Sequence, residues 1–303
     1  MSKNTGLYSG IGFAGWFEAM IATWSGRLVG ALLALPVAVP AYADMAASPW
    51  QETDHSRLRL ISAQSTVGDG RDVQLGLEFR LEPGWKIYWR SPGDAGIPPH
   101  FDWSASANLA DAAVDWPAPN RFRFYGLETF GYEDAVVLPV KVRLSEPGEA
   151  VSVRLRMRYA VCSNICVPHD EDLVLDLPSG LPQSTAHAAK IARYAMKVPT
   201  RAPGKHFEID SVNADGAGRD QVLLVSVTAD RPFGLPDMLV EAPGRYAFGR
   251  PELTLSDDGR RAGFRIHVDA GKSGKSLAGV PLTVTLIDGT RAVEREVVAV
   301  PGP

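Results

Sequence analysis

The segment DVQLGLEFRLE, beginning at Asp72, alternates apolar and polar residues without a break. Val73, Leu75, Leu77, Phe79 and Leu81 therefore share one side of an extended chain. A helix would scatter these five around its circumference, because its repeat is 3.6 residues. The same period of two recurs in LPVKVRL (Leu138, Val140, Val142, Leu144), in VSVRLRMRYAV (Val151, Val153, Leu155, Met157, Tyr159, Val161) and in DLVLDLP (Leu173, Leu175, Leu177). Turn formers at Gly68-Asp69-Gly70, Pro83-Gly84, Pro92-Gly93 and Pro147-Gly148 separate the runs. Half-buried strands at that spacing predict an antiparallel β-sandwich.

The pattern changes after Pro178-Ser179-Gly180. In STAHAAKIARYAMKV, Ala188, Ile191, Ala192, Ala195 and Met196 fall on one helical stripe, with Ser184 or Thr185 as the N-cap. PTRAPGKH reads as a linker, and alternation resumes in QVLLVSVTA, GFRIHVDA and PLTVTLIDGTRAVEREVVAV. Asp258-Gly259 and Asp288-Gly289 mark hairpin turns. The expected organisation is all-β: a leader over residues 1–43, a first sandwich over 44–180, a helix and linker over 181–204, and a second sandwich over 205–303. A chain of 303 residues accommodates two such domains.

Arg27 precedes the apolar run LVGALLALPVAV, which ends at Pro40 and the small-residue triplet Ala41-Tyr42-Ala43. This reads as a secretory signal peptide with its cleavage site, and translation from Met20 gives the more ordinary leader length. The run is shorter than the roughly 20 apolar residues of a membrane span, and no later stretch comes closer. A net charge of −4 supplies no basic field for nucleic acid. Export places the chain where thiols can pair.

Only two cysteines occur, Cys162 and Cys166, in YAVCSNICVP. Four extended residues span about 13 Å, so a bond between the two requires the chain to turn back on itself. Ser163-Asn164 suits that turn. With one alternating run entering and another leaving, the pair belongs at or near the open tip of a hairpin. As a staple it is weak: closing a loop of about five residues stabilises by about 2 kcal/mol, against about 4.7 for 100 residues. A redox pair is the sharper reading of that spacing in an oxidising compartment. A permanent disulfide in a non-enzymatic binding module is the competing one. Cys162, Cys166 and His169 also form C-x3-C-x2-H, a rival pattern because an exported cysteine site can hold Cu(I) or zinc, but a closed zinc site needs four ligands. The remaining histidines, at 55, 100, 187, 206 and 267, are scattered, and no residue pattern calls for a metal or cofactor. Arg154, Arg156, Arg158 and Cys162 share one strand phase, which makes Arg158 a candidate for stabilising a thiolate, against the equal alternative that the row is an ordinary solvated face. His169 is a candidate local proton acceptor, against the plainer reading of an exposed loop histidine.

Several segments together resemble the amino-terminal periplasmic domain of the DsbD-type thiol:disulfide interchange proteins, and within it the ScsB-like branch. They are LEPGWKIYWRSPGDAGIPP (Leu81–Pro99), WPAPNRF (Trp116–Phe122), FYGLETFGY (Phe124–Tyr132) and VCSNICVP (Val161–Pro168), in family order, covering roughly residues 55–180. The resemblance implies an immunoglobulin-like sandwich acting as a protein-disulfide reductase in the periplasm. Electrons arrive from a membrane-embedded donor protein and pass to thioredoxin-like or other disulfide-bearing proteins. It also implies that Cys162 and Cys166 are the reactive pair and that Phe124, Tyr125 and Gly126 form a cap loop shielding it. Trp85, Tyr88 and Trp89 either flank the pair or fill the core. Two features depart from the best-studied branch: the cysteines are closer together, and Phe122 and Arg123 stand where that branch carries acidic residues. Full-length members continue into membrane and thioredoxin-like domains that do not follow in these 303 residues. A separate membrane protein must then supply the electrons, or the disulfide survives in a binding module.

Overall fold

The computed structural model describes residues 46–302 apart from 125, 217, 219, 245, 272 and 273, together with the backbone but not the side chain of Phe124. The leader expected over residues 1–43, and the alternative start at Met20, lie outside the described residues. No described helix is long and apolar enough to cross a membrane.

Two sheets face each other in the first sandwich. One is ordered β1 (Gln51–Glu52), β2 (Ser56–Ser62), β3 (Asp72–Leu81), β9 (Ala135–Leu144), β6 (Leu109–Val114). The other is ordered β11 (Cys166–Leu177), β10 (Val151–Cys162), β4 (Lys86–Gly93), β8 (Leu127–Glu133), β7 (Asn120–Phe124), with β5 (His100–Asp102) also on β10. The alternating residues read from the sequence do face inward: Val73, Leu75, Leu77 and Phe79 are buried against Met157, Tyr159, Val161 and Leu173 of the opposite sheet. Phe79 meets the Tyr159 ring edge-on at 5.7 Å. The result is an all-β, immunoglobulin-like fold.

A single described helix, α1 (Ala188–Ala195), lies against β9. Its contact residue is Ile191, buried with Ile61 and Val137 and flanked by Tyr194. The stripe expected from spacing is therefore turned: Ala192, Ala195 and Met196 are exposed. So short a helix touches the sheet along a line rather than a face. The start also differs, since neither Ser184 nor Thr185 is the N-cap. The N-cap position falls at His187, and the Thr185 hydroxyl instead accepts the His187 amide and donates to the Ser62 carbonyl.

The second sandwich sets β15 (Ala247–Phe248), β17 (Arg261–Asp269), β13 (Gln221–Ala229), β12 (Phe207–Asp215) and β20 (Val300–Pro301) in one sheet, with β16 (Glu252–Leu255) also on β17. The facing sheet is β14 (Pro236–Glu241), β18 (Pro281–Asp288), β19 (Arg291–Val298). The short β20 pairs with β12 in parallel, an exception to the antiparallel pattern. Asp258-Gly259 and Asp288-Gly289 do close hairpins, β16 to β17 and β18 to β19.

The two sandwiches belong to one compact unit. Leu239 of β14 is buried within the core of the first sandwich. Around it, Arg90 of β4 donates to both carboxylate oxygens of Glu241, at 3.1 and 2.6 Å, and also pairs with Glu294. Arg201 donates to the same Glu294. Arg121 of β7 donates to both oxygens of Asp237 at 2.8 Å and to the Met238 carbonyl at 3.0 Å. These forked contacts fix the relative placement of the domains more narrowly than apolar packing alone would.

Candidate functional site

Strands β10 and β11 pair in register along their whole length, from Val151 opposite Leu177 to Cys162 opposite Cys166. Ser163, Asn164 and Ile165 close the hairpin, and the Ser163 amide donates to the Ile165 carbonyl at 2.9 Å. Directly opposed residues place their side chains on the same face of a sheet, which brings the two sulfurs within reach of each other. They form a disulfide, with Cα atoms 4.1 Å apart.

The two ends of the bond differ. Cys162 is 1% exposed, in a small buried cluster with Tyr88 and Ala160, whereas Cys166 is exposed. Ile165, beside it in the turn, is 65% exposed. The Tyr88 ring is the cover over Cys162, and its hydroxyl lies 3.9 Å from the Cys166 sulfur. Burial pushes the Tyr88 phenol up, so it stays protonated at neutral pH. A disulfide sulfur has no proton, which makes the phenol the donor of this weak contact. Gly96 abuts the same ring. A Cβ there would sit 2.5 Å from a ring carbon, and its φ of +120° is one that other residues resist.

The remaining expected site residues fall in different places. Arg154, Arg156 and Arg158 do form an exposed row, but Arg156 is held by Asp170 at 2.9 and 2.8 Å. Arg158 stands four residues from Cys162, about 13 Å along the strand. The residue directly opposed to Cys162 on β4 is Lys86. The reading from one strand's alternation could not see across to a second strand. His169 is paired with Tyr159 and stacks on its ring at 5.2 Å, on the face of the sheet opposite to the cysteines. It is neither a loop residue nor turned to the sulfurs. Burial lowers its pKa, and its Nε2 is enclosed with no hydrogen-bond partner among the described residues. Trp89 is core at 0% exposure, and Trp85 stacks on His55 at 3.6 Å.

Phe124 and Gly126 lie at the tip of the β7–β8 hairpin, where Phe124 pairs with Leu127. Tyr125 and the Phe124 side chain lie outside the described residues. Gly126 has φ +84° with open space where a Cβ would be. Contacts connect this hairpin to the disulfide. The Phe122 ring carries the Lys86 ammonium 4.5 Å from its centroid. The Glu128 amide donates to Asp94, two residues before the Gly96 that abuts Tyr88.

A sandwich that carries a five-residue disulfide loop at the end of a hairpin, one sulfur sheltered and one open, has the build of a thiol:disulfide interchange domain. Residues 59–178 match the family described as thiol:disulfide interchange protein DsbD, N-terminal, and this part of the chain is a domain of that family. Residues 197–302 match a domain of unknown function, DUF8393. The crystal structure of the N-terminal periplasmic domain of ScsB from Proteus mirabilis is similar, with 27% identity and a TM-score of 0.68 over 85% of this chain and 99% of that one. The family match spans 120 residues, from 59 to 178, far less than 85% of 303. The likeness to ScsB therefore extends into the second sandwich, beyond the reach of the sequence resemblance. A marsupial T cell receptor chain matches at 11% identity with a TM-score of 0.20, too low to carry an argument. The curated proteins hold no match.

Proposed function

We propose that this protein carries out thiol:disulfide exchange in the periplasm as a protein-disulfide reductase, with Cys162 and Cys166 as the reactive pair. The observation that carries the reading is the asymmetry of the bond. An incoming thiolate can reach the exposed Cys166, while Cys162 is closed off by Tyr88 and Ala160. A donor thiolate attacks the Cys166 sulfur in line with the bond, the Cys162–Cys166 bond breaks, and Cys162 leaves as the thiolate. A second donor thiol then attacks its own sulfur in the mixed disulfide and releases Cys166. The pair has gained two electrons, and two protons from water complete the dithiol. Toward an oxidised client the steps reverse: the Cys166 thiolate attacks, and Cys162 resolves the mixed disulfide. Phe124, Tyr125 and Gly126 serve as the cap of the pair. The donor is a membrane-embedded protein, and the clients are thioredoxin-like or other disulfide-bearing proteins. A structural bond worth about 2 kcal/mol gives this sandwich little, which favours exchange over permanent stapling.

Redox titration followed by thiol trapping tests the reading. A working pair equilibrates with glutathione or with a thioredoxin-like protein, whereas a structural bond resists reduction until below about −300 mV. The Cys162→Ser variant should trap clients on Cys166 as mixed disulfides, and Cys166→Ser should trap far fewer. Equal trapping by both would overturn the assigned order of attack, and none by either would overturn exchange itself.

A further inference from the structure

A groove of about 430 Å³ opens between the two sandwiches beside the cap hairpin. Phe122 and Arg123 of β7 line one side, and Leu235, Arg250 and Leu253 of the second sandwich line the other. Each side includes an edge strand: among the described residues β7 pairs with β8 alone and β16 with β17 alone. Edge strands leave main-chain groups that an extended segment can use. Leu235 is 91% exposed and Leu253 41%. With the half-buried Phe122 ring they form one apolar patch that the fold itself does not cover. We propose that this groove docks an extended, acidic and apolar segment of the redox partner, and that holding this segment is the work of the second sandwich. The proposal rests on exchange through Cys162 and Cys166, which is what brings a partner to this hairpin.

The charges of the groove give the partner its sign. The two carboxylates that line it, Asp237 and Glu128, both meet Arg121, at 2.8 and 3.4 Å. Glu252, next to Leu253, pairs with Arg265 at 3.5 Å. Arg123 and Arg250 are exposed, and among the described residues no carboxylate comes within 4.0 Å of either. Lys86 extends the same field: its ammonium lies over the Phe122 ring at 4.5 Å, and it too has no carboxylate within 4.0 Å, Glu133 opposite it included. The chain as a whole carries a net charge of −4, so these cations are a local excess rather than part of a basic surface for polyanions. A matching acidic segment speeds encounter and fixes orientation, while the leucines supply contact area. The groove is also within reach of a partner on the disulfide. Strands β7 and β10 belong to one sheet with β4 and β8 between them, about 14 Å at ordinary strand spacing. A specific interface of about 800 Å² a side is a patch about 30 Å across.

The test pans a phage library of random linear peptides on the full mature chain carrying Cys162→Ser and Cys166→Ser, so that no covalent capture occurs. Enriched peptides should combine Asp or Glu with Leu, Ile or Phe. In fluorescence anisotropy, Arg250→Glu should weaken the best of them about fivefold, and Arg123→Glu with Arg250→Glu at least about tenfold. Lys275→Glu, an exposed reversal outside the groove, should change nothing. Added to Cys162→Ser, the double arginine reversal should cut the yield of partners trapped on Cys166 at least about threefold, with iodoacetamide labelling of Cys166 unchanged. No enriched peptide, peptides without acidic residues, or binding and trapping that survive the double reversal would overturn the proposal. Self-association of the chain that Arg250→Glu abolishes would make a second copy the occupant and overturn it as well. Wild-type protein that no thiol reduces would instead overturn exchange through the pair, while the peptide result judges the groove separately.

Discussion

Replacing Glu294 by Gln should destabilise the whole two-sandwich unit. Its carboxylate is 6% exposed and takes bonds from two guanidiniums, Arg90 of the first sandwich and Arg201 of the linker. Burial raises its pKa, but the bonds from Arg90 and Arg201 outweigh that and hold it below the ordinary glutamate range. Breaking a buried pair from one side costs about 3–5 kcal/mol. Arg90 is 25% exposed and keeps Glu241, and Arg201 is 77% exposed, so solvent screens part of the loss. A cost of about 2 kcal/mol is expected. The pH dependence has a fixed sign: a depressed carboxylate contributes fully above its unfolded pKa, and that contribution fades as pH falls through the folded value. Urea unfolding followed by tryptophan fluorescence should thus show the wild type about 2 kcal/mol more stable than Glu294→Gln at pH 7, with the gap closing toward pH 3. A gap below about 0.5 kcal/mol at pH 7, or one that persists undiminished at pH 3, would refute the argument.

Other outcomes follow from the same structure. The double variant Cys162→Ser, Cys166→Ser should stay folded and lose only about 2 kcal/mol in urea melts, and a loss above about 4 would mean the bond is a structural element. Tyr88→Ala should uncover Cys162 and speed alkylation of the reduced protein by iodoacetamide at that residue, while Tyr88→Phe, which keeps the cover, should not. Mass spectrometry of the two cysteines distinguishes these. Gly96→Ala, with its Cβ at 2.5 Å from the Tyr88 ring and φ at +120°, should lower thermal stability by an amount equivalent to about 2 kcal/mol and disturb the same cover. An unchanged melting temperature would show that the loop moves freely.

How legible the molecule was depends on the range of each interaction. The inward faces of β3, β9, β10 and β11 were plain, because alternation is a local property and an amphipathic strand has only one way to face a core. The hairpin that brings Cys162 to Cys166 was equally plain, since a short turn between two alternating runs leaves no other partner. The helix was found but its facing was not. Eight residues touching a sheet at Ile191 obey the shape of that sheet more than their own stripe. The arginine row was read correctly as an exposed row in the strand phase of Cys162, but alternation along one strand says nothing of the next strand over, where Lys86 stands opposite that cysteine.

The sequence by itself determined the sandwiches, the place of the dithiol at a bend and the family of residues 59–178, all of which are written in short-range pattern. Only the tertiary structure decided that Cys162 is sheltered and Cys166 open, that Tyr88 and Lys86 border the pair, and that Arg90 and Arg121 lock the second sandwich to the first. The reason is separation along the chain: Tyr88 and Cys166 are 78 residues apart, and Arg90 and Glu294 are 204 apart. Register between strands is set by the packing of the whole core, and no local periodicity carries it.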